Sequence, residues 1–508
     1  MRYLLGLDVG TTGAKALLID QAGKPVADGT CEYPLLTPRA GWAEQHPQQW
    51  WEATARAISA VVSQSSLPPG DIAAVGLTGQ MHGSVFLDDE DQVIRPAILW
   101  CDQRTAEQCR WITDTVGAET IVAETCNPVL TGFQAPKIIW LRDHEPQNYA
   151  RLARVLLPKD YIRLKLTDEY ATDVSDASGT SLLNVPRRQW SQAMLDGLQL
   201  DERLLPRVYE SPEVTGRITP EAAAATGLAV GTPVIAGAGD QAAGGVGNGV
   251  VASGSVSVTT GTSGVVFAYL DQPITDSQLR THTFCHAVPG SWHVMGVMLA
   301  AGGSLRWLRD ALCAAETALA ADMGVDPYEL MTAQAAKVAP GADGLLFLPY
   351  LTGERCPYAD PDARGVFFGL NLTHGKPHLI RAVLEGVTYG LRDCFELIRN
   401  MGVQFSSVRL SGGGARSDLW RHIQADILRH EVCTVVGDHG AAYGAALLAA
   451  VAAGVYPTVR DAVDATISTV HTVTPDPTHS DVYDGYYAAY RRLYGALRAE
   501  FTSLAELM

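Results

Sequence analysis

The sequence predicts an α/β protein built of two related lobes that offer their glycine-rich turns to a shared cleft. Three observations predict it. Strands and helices alternate along the chain, 508 residues exceed what a single hydrophobic core organises, and one kind of hairpin occurs twice. The two copies are "LDVGTTGAKALLID" from Leu7 and "VTTGTSGVVFAYLD" from Val258. Each places a Gly-Thr-Thr/Ser-Gly turn between apolar strands and ends in an aspartate at the same offset. The predicted lobes span residues 1–245 and 246–508.

From the N-terminus, "LLGLDVG", "AKALLID" and "GKPVADGT" read as three strands joined by turns. "HPQQWWEATARAISAVVSQ" reads as a helix with Pro47 near its start and apolar residues at helical spacing. "IAAVGLTGQ" and "PAILWCD" read as buried strands, and "PKIIWLRDHEP" as a short helix ended by Pro146. In the second set, "PVIAGAGD" is a strand ending in glycines, followed by the second hairpin. "VLEGVTYGLRDCFELIRNMG" is a helix with Gly402 at its C-terminal cap. "SSVRLSGGGARSDLWRHIQADIL" is strand, glycine turn and helix. "GAALLAAVAAGV" is a buried helix too short for a bilayer, and "YDGYYAAYRRLYGALRAEFTSLAELM" is one amphipathic helix packed on the body.

Apolar residues make up 47% of the chain, and the formal net charge is -17. An acidic surface repels nucleic acid and anionic membrane, so neither is expected as a partner. Nine scattered cysteines contain no Cys-x-x-Cys pair, which predicts reduced thiols and a cytoplasmic address and argues against a zinc ribbon. "HTFCH", His282 to His286, lacks zinc-site spacing.

Glycine-rich turns bring backbone N–H groups close to an anion, and threonine hydroxyls add donors. Two such turns plus "SGGGARS", Ser411 to Ser417, point to phosphate binding. Asp8 would repel phosphate unless it holds Mg²⁺; the alternative is an aspartate capping its own turn. No Gly-x-x-x-x-Gly-Lys-Ser/Thr occurs. "GAGDQA", Gly237 to Ala242, fits a dinucleotide fingerprint, but the residues after it are poor helix formers and no acid follows until Asp271, so that reading is set aside. Asp240, a lone acid in an apolar, glycine-lined segment, suits a base that takes a hydroxyl proton during phosphoryl transfer; the alternative is a buried aspartate satisfied by amides. Met81 and His82 in "TGQMHG" end a buried strand, where they could line a polar pocket.

These residues resemble the FGGY carbohydrate kinases over nearly the whole chain. "GVFFGLNLTHGKPHLIRAVLEG", Gly365 to Gly386, is similar to the family's C-terminal signature, and "GFQAPKIIWLRDHEP" to the N-terminal one. Lys137 and Trp140 are retained there, while Gln134 replaces the usual small hydroxyl residue or proline. "GQMHG", "LWCDQR", "LLPKDYIRLKLT", "TDVSDASGT", "FCHAVPGSWHVMGVMLAA" and "FLPYLTGERCPYADP" look most like the branch acting on D-xylulose. Members acting on glycerol usually carry Arg-Glu where Met81 and His82 stand.

The resemblance implies two ribonuclease-H-like, actin-like domains around a deep cleft, ATP and Mg²⁺ as cofactors, and a homodimer. The first domain would hold the sugar and the second the nucleotide. Asp8 would organise Mg²⁺. Thr11, Thr12 and Lys15 would lie by the phosphates, with Gly261 and Thr262 opposite. Gly302 and Arg306 would lie near the nucleotide, and Gly413 and Ser417 would hold the adenosine. Met81, His82, Trp100, Asp102 and Asp240 would contact the sugar, with Asp240 the base. Cys101 stands where asparagine is common. The expected reaction is phosphorylation of D-xylulose at its 5-hydroxyl. The rivals are kinases of ribulose, gluconate or glycerol, and a non-catalytic actin-like nucleotide-binding protein.

Overall fold

The computed structural model describes residues 2–436 and 440–507. The first lobe is built on a twisted sheet. Strands β1 (Tyr3–Val9), β2 (Gly13–Asp20) and β3 (Pro25–Glu32) form an antiparallel meander. Helix α1 (Pro47–Ser65) leads to β4 (Ile72–Gly79), which runs parallel to β1. Helix α2 (Gln134–His144) lies in a long excursion before β5 (Val214–Arg217) and β6 (Pro233–Ile235). The sheet order is β5-β6-β4-β1-β2-β3, with β7 (Ala238–Gly239) also pairing with β4. Helix α3 (Asp240–Gly247) follows β7 directly.

The second lobe repeats the plan. Strands β8 (Ser255–Thr260) and β9 (Gly264–Leu270) form the second hairpin, and β10 (His282–Cys285) and β11 (Trp292–Met298) extend it. Helices α4 (Gly302–Leu312), α5 (Pro327–Ala335) and α6 (Lys376–Asn400) intervene. Then β12 (Ser407–Ser411) leads to α7 (Asp418–Leu428), and β13 (Val432–Val435) precedes α8 (Ala441–Ala452), β14 (Thr469–Val473) and α9 (Pro477–Glu506). The order is β10-β11-β9-β8-β12-β13-β14. In both sheets the first strand pairs antiparallel with its hairpin partner on one side and parallel with a later strand on the other. The duplication legible in the two turns therefore extends to whole sheets.

Small residues set how closely the layers approach. A Cβ on Gly6 would lie 1.9 Å from the carbonyl oxygen of Ala442, and one on Gly76 equally close to that of Ala445, so α8 lies with its backbone against β1 and β4. A Cβ on Gly444 would lie 1.8 Å from the Ala243 carbonyl oxygen, so α3 presses on α8 in the same way. This corrects the reading of the residues after Asp240. Their glycines weaken a free helix, yet they form α3, and one of them, Gly247, sits at the α3–α8 contact, where a Cβ would lie 2.7 Å from the Gly440 carbonyl oxygen and 3.2 Å from the Gly444 nitrogen. Residue 245, the predicted boundary, falls inside α3.

"PAILWCD" also departs from expectation: only Ala97–Ile98 forms a strand. Helix α2 ends at His144, and Pro146 opens a separate short turn of helix, Pro146–Tyr149. Gly402 stands just beyond α6 with φ +94°, which only glycine adopts without strain. Helix α9 packs on the second lobe through Tyr483, Tyr487, Tyr490, Tyr494 and Phe501. Three of its tyrosine hydroxyls find carboxylates: Tyr483 on Glu385, Tyr487 on Asp393 and Tyr494 on Asp360. All nine cysteines are free thiols. Among the described residues no helix is long and apolar enough to cross a membrane.

Candidate active site

Four braces hold the first turn. The Tyr33 hydroxyl donates to the Gly10 carbonyl at 2.5 Å, and Gln80 Nε2 donates to the same oxygen at 3.3 Å. Gln45 Nε2 donates to the Thr11 carbonyl at 2.7 Å, and Trp100 Nε1 donates to Thr11 Oγ1 at 3.0 Å. No motif singles out Tyr33 or Gln45, and Gln80 stands within "GQMHG" without a role read from it. Their polar ends converge only because β3, α1 and the end of β4 surround the turn. Thr12 is exposed at the tip.

Asp8 is half-buried and sits directly across the ladder from Lys15. Its Oδ1 has no hydrogen-bond partner. Burial pushes its pKa from 3.8 up to about 6, against the pull of Lys15. Asp240 opens α3 one residue after Gly239, which pairs with Gly79 of β4; Val9 pairs with the same Gly79 from the other side. Asp8 and Asp240 therefore flank β4 at one edge of the sheet, two strand spacings or roughly 10 Å apart along the backbone. Burial, then the charge of Asp8, raise the Asp240 carboxyl to about 7.

Behind Asp240 lies a fully buried ionic cluster. Lys159 Nζ reaches Asp160 at 2.6 Å, Asp173 at 3.0 Å and Asp176 at 3.4 Å. Ser175 hydrogen-bonds Asp173 and accepts from the Gly239 N–H at 3.1 Å. Burial holds Asp176 well above the usual carboxylate range. Through Ser175 the cluster fixes the backbone that carries Asp240.

Met81 and His82 follow β4. Met81 is buried against Gly179 and Gly239. His82 has φ +70°, stacks on Phe133 at 4.7 Å and donates from Nδ1 to the Gly179 carbonyl at 2.7 Å. Burial lowers its pKa to about 3, so the ring is neutral and Nε2 is left as an acceptor. Lys137, from α2, donates to the carbonyls of His82 at 2.8 Å and Gly132 at 2.6 Å, which holds this loop in place. The unusual Gln134 does similar work, its amide reaching the Gly83 and Leu156 carbonyls.

Asp102 departs from expectation. It is fully buried, and both carboxylate oxygens are engaged by Arg104 and the N–H of Ala43. The acid shapes its own loop and has no free oxygen for a sugar. Arg104 in turn lies 3.5 Å over the Trp42 ring. Trp100 is 44% exposed and carries its indole across to Thr11.

The second turn meets α4. Gly302 donates its N–H to the Gly261 carbonyl at 2.7 Å, and a Cβ there would lie 2.6 Å from the same oxygen. Arg306 Nη2 donates to Thr262 Oγ1 at 3.3 Å. Gly261, Thr262, Gly302, Arg306, Gly413 and Ser417 line one cavity of about 500 Å³. Asp326, Tyr328, Glu329 and Thr332, at the start of α5 and along it, complete one wall, and Trp420 another. None of these carries a phosphate motif, so sequence patterns gave no signal for them. Ser417 caps α7, accepting from the Trp420 N–H.

The structure thus gathers the predicted residues into two groups. Asp8, Thr11, Thr12, Lys15, Met81, His82, Trp100 and Asp240 lie at one end of the first sheet, six of the others line the cavity of the second lobe, and Asp102 joins neither group. His282 and His286 are buried among aromatic rings, and among the described residues no group of three metal-ligating side chains forms.

Known proteins share this fold. The model of the FGGY family of carbohydrate kinases, N-terminal domain, matches residues 3–247, and that of the C-terminal domain matches residues 256–453. The xylulose kinase of Escherichia coli (strain K12) is 41% identical over 97% of this chain and 99% of its own. The gluconokinase of Bacillus subtilis (strain 168) is 32% identical over 99% of this chain and 98% of its own. A crystal structure of a "xyloylose kinase" from Brucella ovis superposes with a TM-score of 0.88 at 39% identity, covering 98% of this chain and 100% of that one. Its two lobes are accordingly actin-like ATPase folds, and the chain belongs to the FGGY family of carbohydrate kinases.

Proposed function

We propose that the protein transfers the γ-phosphoryl group of ATP to the 5-hydroxyl of D-xylulose, giving D-xylulose 5-phosphate and ADP. One observation carries the chemistry: Asp240 stands across β4 from Asp8, beside a threonine-rich turn, with a carboxyl poised near neutral pH. The choice of sugar rests on the 41% identity to a xylulose kinase over nearly both chains.

In this reading the first lobe binds the sugar and the second the nucleotide. Ionised Asp240 accepts the hydroxyl proton while the sugar oxygen bonds to the γ-phosphorus. The bond from that phosphorus to the bridging oxygen breaks, and ADP leaves. Thr11 and Thr12 on one side, and Gly261 and Thr262 on the other, donate to the phosphate oxygens. Gly413 and Ser417 seat the adenosine. Met81 packs against the sugar's carbon chain, and His82 Nε2 accepts from one of its hydroxyls.

The unpartnered Oδ1 of Asp8 fits a divalent cation, because a half-buried carboxylate beside phosphate needs a positive partner. Asp8 would hold Mg²⁺, which when bound neutralises phosphate charge. ATP is supplied in the cytoplasm, and we place the enzyme there.

The test is a panel of D-xylulose, D-ribulose, gluconate and glycerol with coupled ADP detection. The highest kcat/KM is expected for D-xylulose, with phosphate on O5 by ³¹P NMR. A higher value for gluconate would replace the proposed substrate, and sugar-independent ATP turnover would remove the kinase reading.

A further inference from the structure

The segment "GERCP", Gly353 to Pro357, carries a cation that the preceding reading does not use. Buried Glu354 accepts at Oε1 from the N–H groups of Leu299, at 3.0 Å, and Arg355, at 2.7 Å. This ties the segment to the residue that follows β11, three residues before Gly302. On the other side of Arg355, Cys356 packs on β11: a Cβ at Gly296 would lie 3.3 Å from its Sγ. The preceding residue of β11, Met295, points the opposite way. It pairs with His282 and joins Met81, Phe133 and Phe284 in one apolar cluster that bridges the lobes.

The Arg355 side chain is half-buried between these anchors. Among the described residues its guanidinium makes no hydrogen bond and no ion pair. Burial above all, and the Arg355 charge as a smaller cause, depress the basicity of both His82 and His282. A guanidinium withdrawn from water without a partner is costly, and its fork of N–H donors matches oxygen acceptors.

The sugar subsite lacks what this group supplies. A 2-ketose carries a carbonyl, which can only accept. Asp240 is an acceptor when ionised, and neutral His82 has only Nε2 left, also an acceptor. The Trp100 N–H is committed to Thr11, and the Gln241 amide is turned to Asp240. We propose that Arg355 is a substrate-binding, specificity-determining residue that donates to the carbonyl end of an open-chain 2-ketose, remote from the transferred hydroxyl. The inference rests on the D-xylulose reading above. It gives the second lobe a direct grip on the sugar, so both lobes hold one substrate.

The experiment compares wild type, R355Q and R355K with D-xylulose and with xylitol, the polyol that lacks the carbonyl. R355Q is expected to raise the KM for D-xylulose roughly 10- to 100-fold, the span of a hydrogen bond to a charged donor. The KM for ATP should stay within about twofold. The ketose-to-polyol ratio of kcat/KM should collapse, because xylitol never used the contact. R355K keeps the charge without the fork and should fall between, and it serves where R355Q does not fold. Should wild type use D-xylulose while both variants keep its KM and the ketose preference, the inference fails and the kinase reading stands. Wild type without activity on D-xylulose removes both.

Discussion

The two Gly-Thr turns occupy equivalent places in equivalent sheets, but their neighbours differ in charge. Asp8 stands two residues before Gly10, and Thr259 two residues before Gly261. Each lies beside a hydroxyl residue on the parallel strand, Asp8 next to Thr78 and Thr259 next to Ser411. Thr259 Oγ1 is satisfied by Ser411 Oγ at 2.7 Å, while Asp8 Oδ1 has no partner. The same backbone thus serves one lobe as a charged site and the other as a neutral cradle. In the proposed reaction both turns donate to phosphate, while metal and base fall to the lobe whose sheet carries the carboxylates.

The sharpest way to break this asymmetry is Asp240→Asn. The variant keeps the side-chain shape and removes the base. Turnover is expected to fall about 10³-fold or more, at the upper part of the range for general-base catalysis. The melting temperature should hold or rise, since a carboxyl raised from 3.8 to about 7 costs the fold stability wherever the unfolded chain would be ionised, above about pH 4, and the amide carries no charge. The wild-type pH profile gives the same group a second readout. Only the ionised form accepts a proton, so kcat/KM should decline about tenfold per unit as pH drops below roughly 7. High Mg²⁺ should move that limb to lower pH, because neutralising Asp8 relieves the like charge beside Asp240. Near-normal kcat in the variant would place the base elsewhere.

Asp8→Asn tests the other half of the charged pair. We expect kcat to drop about 10²-fold, with the Mg²⁺ concentration for half-maximal rate shifted upward. An unchanged Mg²⁺ dependence would show that Asp8 serves only its own turn. The neutral turn is tested by shape. Gly302→Ala forces a Cβ to within 2.6 Å of the Gly261 carbonyl oxygen and should raise the KM for ATP about tenfold, leaving the sugar KM alone. An equal rise in both constants would mean that the change spreads beyond the nucleotide cavity.

Both turns were legible because their chemistry is local: glycine and threonine between apolar strands specify the hairpin and its donors together. Helix α6, the β12–turn–α7 unit and the amphipathic α9 were legible for the same reason, their periodicity lying within one segment. Helix α3 was hidden because its partners are remote in sequence: Gly247 meets the start of α8, some two hundred residues away, Gly245 meets Phe267, and intrinsic propensity loses to these tertiary contacts. Asp102 looked available because the sequence does not say that Arg104, clamped over Trp42, folds back on it. The α5 wall of the second lobe's cavity, and the braces Tyr33 and Gln45, are ordinary residues in unremarkable segments. Tertiary placement alone gives them a part in the site.

The smallest expected effect is the most direct probe of the comparison. Thr259→Val removes the hydroxyl at the position where the first lobe has Asp8. If the second turn is a neutral cradle whose donors are the Gly261 and Thr262 groups, then Thr259 acts only through Ser411. The variant leaves Ser411 Oγ with only the longer bond from Asn248 Nδ2, at 3.4 Å, and the lost bond costs about 1 kcal/mol of stability, seen as a modest drop in melting temperature. The kcat should stay within about twofold of wild type, and the Mg²⁺ dependence should not move. A large loss of kcat would mean that position 259 also meets the phosphates or their metal. The two lobes would then divide the charge chemistry more evenly than their side chains suggest.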